Sequence, residues 1–397
     1  MLSKNFILKS KKINGNIKKT KKIFNSLKSD LMNLNIPVLK TYEKNYQFNF
    51  SENLVKKFSK YNNIIIIGMG GSILGTKSIY SFFKTKIKKN VFFFDNLDQN
   101  LYLNFKNSKF SKNSCFIIVS KSGNTLETIV NLGIIFSKSL YKNKLIIITE
   151  VKDSALMNIA NKFNAEIIEH HNLIGGRYSV LSEVGMFPAA LMGLNIAKFQ
   201  SLRELLNNKN FVSNLIRNVA IIYTLNNQGI RNSVLLNYDS SLNDLCFWYQ
   251  QLVGESLGKK GKGITPIVSL CPKDHHSLFQ LYLDGPKDKF FTFLDLKKIK
   301  SKSKISKHAI PENMKFLRGK TLEFITRAQS DAAQKVFDLK KIPYRKIVLI
   351  KNSEEELGKI LTFFVLETIL LARLIKVDPF NQPAVEHIKI QTRNLLK

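Results

Sequence analysis

From residue 64 onwards, the hydrophobic residues form short apolar runs separated by longer segments of helical pattern. In the first half of the chain these runs occupy residues 64–67, 91–94, 115–119 and 145–148. Strands that alternate with helices at intervals of roughly 25 residues predict βαβ units. Such units build a parallel sheet that is covered by helices on both faces.

A second series of apolar runs follows a polar helical stretch at about residues 197–229. These runs occupy residues 234–236, 264–270, 290–294 and 347–350. The pattern predicts an α/β protein with two doubly wound halves, residues 46–200 and 201–377, between helical arms at residues 1–45 and 378–397. A long helix is expected from residue 354 to about 377, with a break at Asp378-Pro379 before the last helix. We interpret the Lys- and Ser-rich segment 297–307 as an exposed insertion.

Composition and charge limit the class of protein. A chain of 397 residues with 44% hydrophobic content is long and apolar enough for two packed cores. Its 62 Lys and Arg residues against 29 Asp and Glu residues give a formal charge of +33, which raises the question of a nucleic-acid partner. Because the lysines are scattered along the whole chain, we interpret them as a solvated surface that can also steer an anionic small molecule. We expect no nucleic-acid partner.

Cysteine usage and hydropathy indicate the compartment. Cys115, Cys246 and Cys271 form no CxxC pair and lie in or beside apolar runs, which favours free buried thiols in a reducing environment. The first thirty residues contain no continuous apolar segment typical of a secretory signal. The longest apolar stretch, residues 360–375, carries two charged residues and is shorter than the roughly 20 residues of a membrane span. We therefore expect a buried core helix there, and a cytoplasmic protein without a membrane partner.

Two loops that follow predicted strands carry residues suited to binding an anion. The first, residues 68–75, contains Gly71 and Ser72 and can bring backbone amides close to a ligand at the start of a helix. A tight turn without a ligand is the alternative, since the loop lacks the GxGxxG spacing of a dinucleotide site. The second, residues 120–125, places three hydroxyls at a predicted helix N-terminus, as a sugar phosphate requires. Ordinary capping is the alternative there.

Two further motifs carry residues for charge stabilisation and proton transfer. Arg177 follows a Gly-Gly turn, from which a fixed cation can reach negative charge that develops on an enediolate. A surface arginine after a flexible turn is the alternative. Glu255 lies at the end of a partly apolar helix beside a glycine turn, where the pKa of a carboxyl can be tuned for a base. A solvated glutamate is the more common case at such a position.

The histidines do not indicate a metal site. His275 and His276 are adjacent, and neighbours at the start of a helix point about 100° apart, so both cannot face one site. Together with His170 and His171 they offer no i, i+4 pair and no Cys or Asp at the spacing of zinc ligands. We expect neither a metal nor another cofactor.

Taken together, these motifs resemble those of the phosphoglucose isomerase family. The resemblance extends from about residue 64 to the C-terminus, and a closing Val385-Glu386-His387-Ile388-Lys389 fits the family's last motif. Five motifs occur in family order, at residues 68–75, 120–125, 175–179, 251–259 and 274–281. The resemblance implies two flavodoxin-like sugar-isomerase domains and the interconversion of glucose 6-phosphate and fructose 6-phosphate through a cis-enediol, in glycolysis and gluconeogenesis. It also implies a sugar phosphate as ligand and a homodimer as the assembly.

The resemblance further implies a role for each residue of the site. Glu255 would be the base that moves a proton between C2 and C1, Arg177 would stabilise the enediolate, and His276 and Lys389 would assist ring opening. The choice of His276 rests on the register of residues 276–281, because His275 stands where the family often has Gln. The remaining residues would bind the phosphate or line the site: Gly71, Ser72, Ser120, Lys121 through its backbone, Ser122, Thr125, Gln251 and Gln382.

Three other hypotheses are compatible with parts of this pattern. A bifunctional isomerase that also accepts mannose 6-phosphate would differ by small changes around residues 123–125. A hexose-phosphate aminotransferase would need an N-terminal cysteine nucleophile, whereas position 2 is Leu2. A non-catalytic phosphosugar-binding regulator would need the phosphate loops, but it has no reason to keep the four residues assigned to the chemistry.

Overall fold

The computed structural model describes residues 11–32, 36–108, 113–135, 144–297 and 303–397. The predicted insertion at residues 297–307 and the predicted N-terminal arm lie partly outside these ranges. Three helices open the described chain: α1 (Lys11–Met32), α2 (Pro37–Lys40) and α3 (Glu52–Ser59). Two parallel sheets follow, each with helices on its faces.

The first sheet has five parallel strands in the order β2-β1-β3-β4-β5. The strands are β1 (Asn63–Ile67), β2 (Asn90–Phe94), β3 (Ser114–Val119), β4 (Leu145–Thr149) and β5 (Glu166–Glu169). The helices of this half are α4 (Leu74–Phe83), α5 (Gln99–Asn107), α6 (Leu126–Ile135), α7 (Ala155–Phe163) and α8 (Glu183–Leu191). The first four strands confirm the strands that were predicted from the four apolar runs. The fifth was missed because its two isoleucines, between two glutamates, are too short a run to predict a strand.

The second sheet has four parallel strands in the order β7-β6-β8-β9. The strands are β6 (Asn232–Asn237), β7 (Thr265–Leu270), β8 (Lys289–Leu296) and β9 (Tyr344–Leu349). The helices are α9 (Leu202–Asn207), α10 (Lys209–Asn227), α11 (Asn243–Leu257), α12 (Phe279–Asp284), α13 (Leu322–Leu339), α14 (Glu354–Ile375) and α15 (Val385–Leu395). In both sheets the earliest strand is internal and its successors lie on either side. This order confirms the predicted doubly wound α/β architecture.

The largest apolar cluster draws on both halves, with side chains from α1, α4, α10, α11 and α14. Helix α14 is buried along most of its length, which confirms the predicted core helix. No helix within the described ranges is long and apolar enough to cross a membrane. Helix α1 packs on α10 and α14, and Asp30 pairs with Arg373 at 2.7 Å, so the N-terminal helix is fastened to the second half.

Contact between the halves positions the residues of interest. Helix α4, which begins just after the glycine loop of β1, packs against α11 of the second half. The C-terminal end of α11 carries Gln251 and Glu255. Packing of these two helices therefore brings the glutamate of the second half to the carboxyl edge of the first sheet.

Candidate active site

The strand order of the first sheet reverses between β1 and β3, where the loops at the carboxyl edge can part to form a crevice. These strands are neighbours, but the chain continues from β1 to β2 on one side and from β3 to β4 on the other. A crevice of this kind is the usual ligand site of an open parallel sheet. Loops 68–75 and 120–125 follow the two strands, so the two predicted anion-binding loops lie side by side.

Loop 120–125 gathers hydroxyls at the start of α6. The Ser120 and Thr125 hydroxyl oxygens are 2.7 Å apart, and the Ser122 hydroxyl accepts a hydrogen bond of 3.3 Å from the Asn124 amide. Helix α6 begins immediately afterwards, at Leu126. Its first-turn amides and the positive end of its dipole therefore face the loop that carries the hydroxyls.

Gly123 is required by the shape of this loop. Its φ is +70°, a left-handed conformation, and an added Cβ would lie 2.2 Å from the Ser154 hydroxyl. The neighbouring Lys121 directs its ammonium toward Glu150, with 3.8 Å between nitrogen and oxygen. Burial lowers the pKa of Lys121, and Glu150 opposes this effect. The loop therefore turns within a tight space and keeps a lysine beside the hydroxyls.

Loop 68–75 packs against the glycine turn that carries Arg177. An added Cβ on Gly71 would lie 2.1 Å from the carbonyl carbon of Gly176, so only glycine fits there. The next loop residue, Ser72, closes a 3-10 turn that begins at Gly70. This close approach of backbones holds Arg177 beside the loop that follows β1.

Arg177 is a buried cation with several oxygen acceptors. Its side chain is fully buried, its Nε donates to the Ser256 hydroxyl at 2.8 Å, and its Nη1 lies 3.1 Å from Oε2 of Glu255. The other contacts of the guanidinium are with the segment before α15: the carbonyls of Pro379 and Asn381 and the side-chain oxygen of Gln382. These acceptors hold the plane of the guanidinium in one orientation.

Both oxygens of Glu255 are held by neighbours. Oε1 accepts a 3.0 Å hydrogen bond from Nε2 of Gln251, one helical turn earlier, and Oε2 faces Arg177. Gln251 also touches the first loop, since a Cβ on Gly70 would lie 2.9 Å from its Nε2. The Glu255 side chain is 32% exposed, so a positioned carboxylate remains accessible from the solvent side.

A cavity of about 450 Å³ opens beside Glu255. It lies between the C-terminal end of α11 and the segment that leads to α15, and its lining includes Glu255, Lys259, Asp378 and Gln382. The space has the size of a small-molecule pocket. An accessible carboxylate beside a buried guanidinium suits proton transfer on a substrate that develops negative charge.

Several residues of this site carried too little signal to be singled out from the sequence. Ser256 and Tyr178 each follow a predicted site residue, and their hydroxyl oxygens lie 2.8 Å apart behind Arg177. The Asp378-Pro379 break predicted only a helix end, yet the carbonyl of Pro379 accepts from both Arg177 and Tyr178. Backbone carbonyls have no side-chain pattern by which they could be found.

His276 does not lie beside Glu255 within one chain. Helix α11 returns toward the amino ends of the strands, where Gln250 donates to the carbonyl of Pro266 near the start of β7. His276 follows the carboxyl end of β7, at the opposite edge of the sheet, and is exposed. A six-residue strand spans about 16 Å, so one subunit cannot place the two side chains on one substrate.

The adjacent histidine, His275, contacts two aromatic side chains of the same chain. His275 Nε2 lies 2.7 Å from the Tyr238 hydroxyl, and its ring packs on Phe279 with 4.1 Å between centroids. Burial lowers the pKa of His275, and the neighbouring His276 adds to this effect. The pair therefore consists of one packed histidine and one exposed histidine.

Lys389 pairs with a glutamate of its own helix and not with Glu255. It is on α15, where it pairs with Glu386 at 2.6 Å, and both side chains are more than half exposed. Every residue from Asn381 to Lys397 is exposed. The structure thus brings Arg177, Gln251, Glu255 and Gln382 together, and leaves His276 and Lys389 outside the cluster.

Residues 49–397 match the model of the phosphoglucose isomerase family. This chain belongs to that family. A glucose-6-phosphate isomerase of Methanocaldococcus jannaschii is 34% identical over 359 residues, which cover 88% of each chain. One from Aster yellows witches'-broom phytoplasma is 28% identical over 376 residues, again 88% of each chain. Membership confirms the resemblance and makes the chain an isomerase that interconverts glucose 6-phosphate and fructose 6-phosphate.

Solved structures show the same fold. A hypothetical protein from Thermus thermophilus superimposes with a TM-score of 0.83 at 22% identity, covering 99% of this chain and all of the other. A glucose-6-phosphate isomerase from Chlamydia trachomatis has a TM-score of 0.73 at 17% identity, covering 90% of this chain and 77% of the other. The arrangement of two parallel sheets is therefore shared with proteins of distant sequence.

Proposed function

We propose that Glu255 is the base of the isomerisation and moves a proton between C2 and C1 of the open-chain sugar through a cis-enediol. The observation that carries this proposal is the position of its carboxylate, held by Gln251 and Arg177 at the edge of a cavity. The two contacts leave the carboxylate little rotational freedom. A base that is already oriented loses less entropy when it reaches the transition state.

Arg177 stabilises the negative charge that develops on the enediolate. A guanidinium that is buried and fixed by Ser256 and by backbone carbonyls needs no reorganisation during the reaction. Gln251 and Gln382 line the site beside it. The Oε1 atom of Gln251 is buried without a hydrogen-bond partner among the described residues, and it can accept from a substrate hydroxyl.

The phosphate binds at the two loops of the first sheet. Its ligands are the hydroxyls of Ser72, Ser120, Ser122 and Thr125 together with the backbones of Gly71 and Lys121. The supporting feature is the proximity of the Ser120 and Thr125 hydroxyls at the start of α6, because phosphate oxygens need donors and a positive dipole. Binding energy from the phosphate then places C1 and C2 against Glu255.

The assembly is a homodimer in which His276 of a second copy completes the site and opens the sugar ring with Lys389. Separation of His276 and Glu255 at opposite sheet edges supports a second copy, because ring opening by His276 and proton transfer by Glu255 must act on the same bound sugar. The exposure of α15, with Ile388 and Leu395 on its surface, supports rearrangement or coverage of this helix in the assembly.

The proposal extends to the division of the chain into domains and to the compartment in which the enzyme works. Residues 46–200 and 201–377 form two sugar-isomerase domains, and residues 1–45 and 378–397 form arms. The enzyme works in the cytoplasm, in glycolysis and gluconeogenesis, without a metal, a nucleic-acid partner or a membrane partner. Cys115, Cys246 and Cys271 are free and buried, as predicted, which favours a reducing compartment.

A coupled assay with fructose 6-phosphate and EDTA-treated protein tests the proposal. We expect turnover to survive EDTA, and kcat to fall about 100- to 10,000-fold in Glu255→Gln while sugar-phosphate binding remains. Glu204→Gln, an exposed glutamate of α9, is the matched control. Turnover that persists in Glu255→Gln would show that another group is the base. A folded wild-type protein that binds the sugar phosphate without turnover would support the regulator instead.

A further inference from the structure

Lys259 lies where the base-carrying helix meets the segment that precedes α15. It follows the C-terminal end of α11, in a short hairpin that pairs Lys259 with Lys262. Its ammonium donates to the carbonyl of Ser256 at 3.0 Å and to the carbonyl of Asp378. One side chain thus joins the end of α11 to the start of the segment 378–382.

That segment is the main support of Arg177. The carbonyls of Pro379 and Asn381 and the side chain of Gln382 all accept from the guanidinium. The segment has no regular secondary structure, and its other contacts include Tyr178, whose hydroxyl donates to the carbonyl of Pro379 and whose ring packs on Phe380. A displacement of the segment would remove three acceptors from Arg177.

Lys259 also contributes charge to the cavity. It lines the same space as Glu255, and the charged groups that face it are Arg177, Asp378 and Glu255. Its hairpin neighbours Lys260 and Lys262 are exposed. An ammonium at this position favours negative charge on the substrate beside Glu255.

We propose that Lys259 is a positioning residue of the isomerisation, whose ammonium clamps segment 378–382 to the end of α11 and keeps Arg177 aligned with Glu255. This inference rests on the proposed roles of Glu255 and Arg177. It adds a group that acts through the arginine, away from the reacting carbon atoms.

The clamp depends on the charge of Lys259. Charge-assisted hydrogen bonds are roughly twice as strong as neutral ones. Burial, followed by the charge of Arg177, lowers the pKa of Lys259 to about 8, while Asp378 and Glu255 oppose this effect. The ammonium is present below this pKa and is lost as the pH rises through it. Activity should therefore decline on the alkaline side of about pH 8.

Three variants test the clamp by kcat, KM and pH profile for fructose 6-phosphate. Lys259→Met should lower kcat about 10- to 100-fold, as misalignment of a catalytic group does. KM should stay within about threefold, because the phosphate is held by the other half. Lys259→Arg should restore most of kcat and remove the decline near pH 8, since arginine stays protonated. Lys262→Met is the matched control, because Lys262 donates to the carbonyl of Ile375 outside the cavity, and it should behave as wild type.

Two results would contradict the proposed positioning role of Lys259. One is a kcat of Lys259→Met within about twofold of wild type. The other is an alkaline decline in Lys259→Arg that matches that of wild type, and this arm remains informative if Lys259→Met fails to fold. Failure of the proposed function looks different: wild type would be inactive, or Glu255→Gln would be active, whatever the Lys259 variants do.

Discussion

The hydroxyl of Ser256 accepts a 2.8 Å hydrogen bond from Nε of Arg177, and both side chains are fully buried. Ser256 is the residue next to Glu255 on α11. The helix that carries the base therefore also fixes the cation that faces the base.

Removal of this hydroxyl should impair both stability and turnover. Ser256→Ala leaves the buried Nε of Arg177 without an acceptor, which should cost about 1–3 kcal/mol of unfolding free energy. It should also lower kcat about 10- to 100-fold, because the guanidinium loses one of its constraints. Urea unfolding and the coupled assay measure the two effects.

Ser330→Ala is the matched control for Ser256→Ala. Ser330 is a buried serine of α13 whose hydroxyl accepts from Gln334, far along the chain from the site residues. We expect it to lose stability without losing kcat. Equal kcat values for Ser256→Ala and wild type would show that this hydrogen bond has no part in the alignment of Arg177.

Local signals in the sequence predicted the individual parts of the site, but not their contacts. Four consecutive isoleucines predicted β1, and glycine turns predicted the loops around Gly71 and Arg177. Arg177 and Glu255 are 78 residues apart, and their ion pair depends on the packing of α4 against α11. Side-chain patterns within each helix do not encode that packing. The carbonyl acceptors of segment 378–382 were missed for the same reason.

Mixed dimers should show whether His276 acts across a subunit boundary. Glu255→Gln and His276→Ala are each expected to be impaired as homodimers. In a mixed dimer one site carries both changes and the other is intact, so statistical mixing should restore about a quarter of wild-type activity. Activity of differently tagged subunits after mixing and exchange measures this recovery.

A second pair of variants controls for the mixing itself. Arg177 and Glu255 contact each other within one chain, so a mixture of Arg177→Met with Glu255→Gln leaves every site with one lesion. That mixture should stay inactive. If the first mixture also shows no recovery, His276 does not act from the second copy.

Arg345 and Glu367 form an ion pair inside the second half, and both side chains are at most 2% exposed. The guanidinium on β9 faces the carboxylate on α14, with 2.9 Å between Nη2 and Oε1. Glu367→Gln should lower the unfolding free energy by about 3–5 kcal/mol, because it leaves a buried charge without its partner. The double variant Arg345→Met/Glu367→Leu should cost much less. Urea unfolding of both variants makes the comparison, and equal losses would contradict the unpaired-charge explanation.

His170 should make the protein less stable in mild acid. It lies just after β5, is 1% exposed, and its Nε2 has no hydrogen-bond partner in the described part of the chain. Burial lowers the pKa of His170 from 6.5 to about 4, and the nearby charge of Lys121 adds to this effect. In the unfolded chain His170 therefore becomes protonated below about pH 6.5, whereas in the folded chain it becomes protonated only near pH 4. The stability from neutral His170 is present above pH 6.5 and is lost as the pH falls toward 4.

Replacement of this histidine should reduce the pH dependence of folding. The unfolding free energy of the wild-type protein should be lower at pH 5 than at pH 7, and about 2 kcal/mol of this difference should come from His170. Urea unfolding at the two pH values measures the difference. His170→Phe should lack this part of the difference, whatever its stability at pH 7. His171→Phe is the matched control, because His171 is the adjacent, exposed histidine, and it should keep the wild-type difference. An unchanged difference in His170→Phe would mean that His170 takes up its proton in the folded protein as readily as in the unfolded chain.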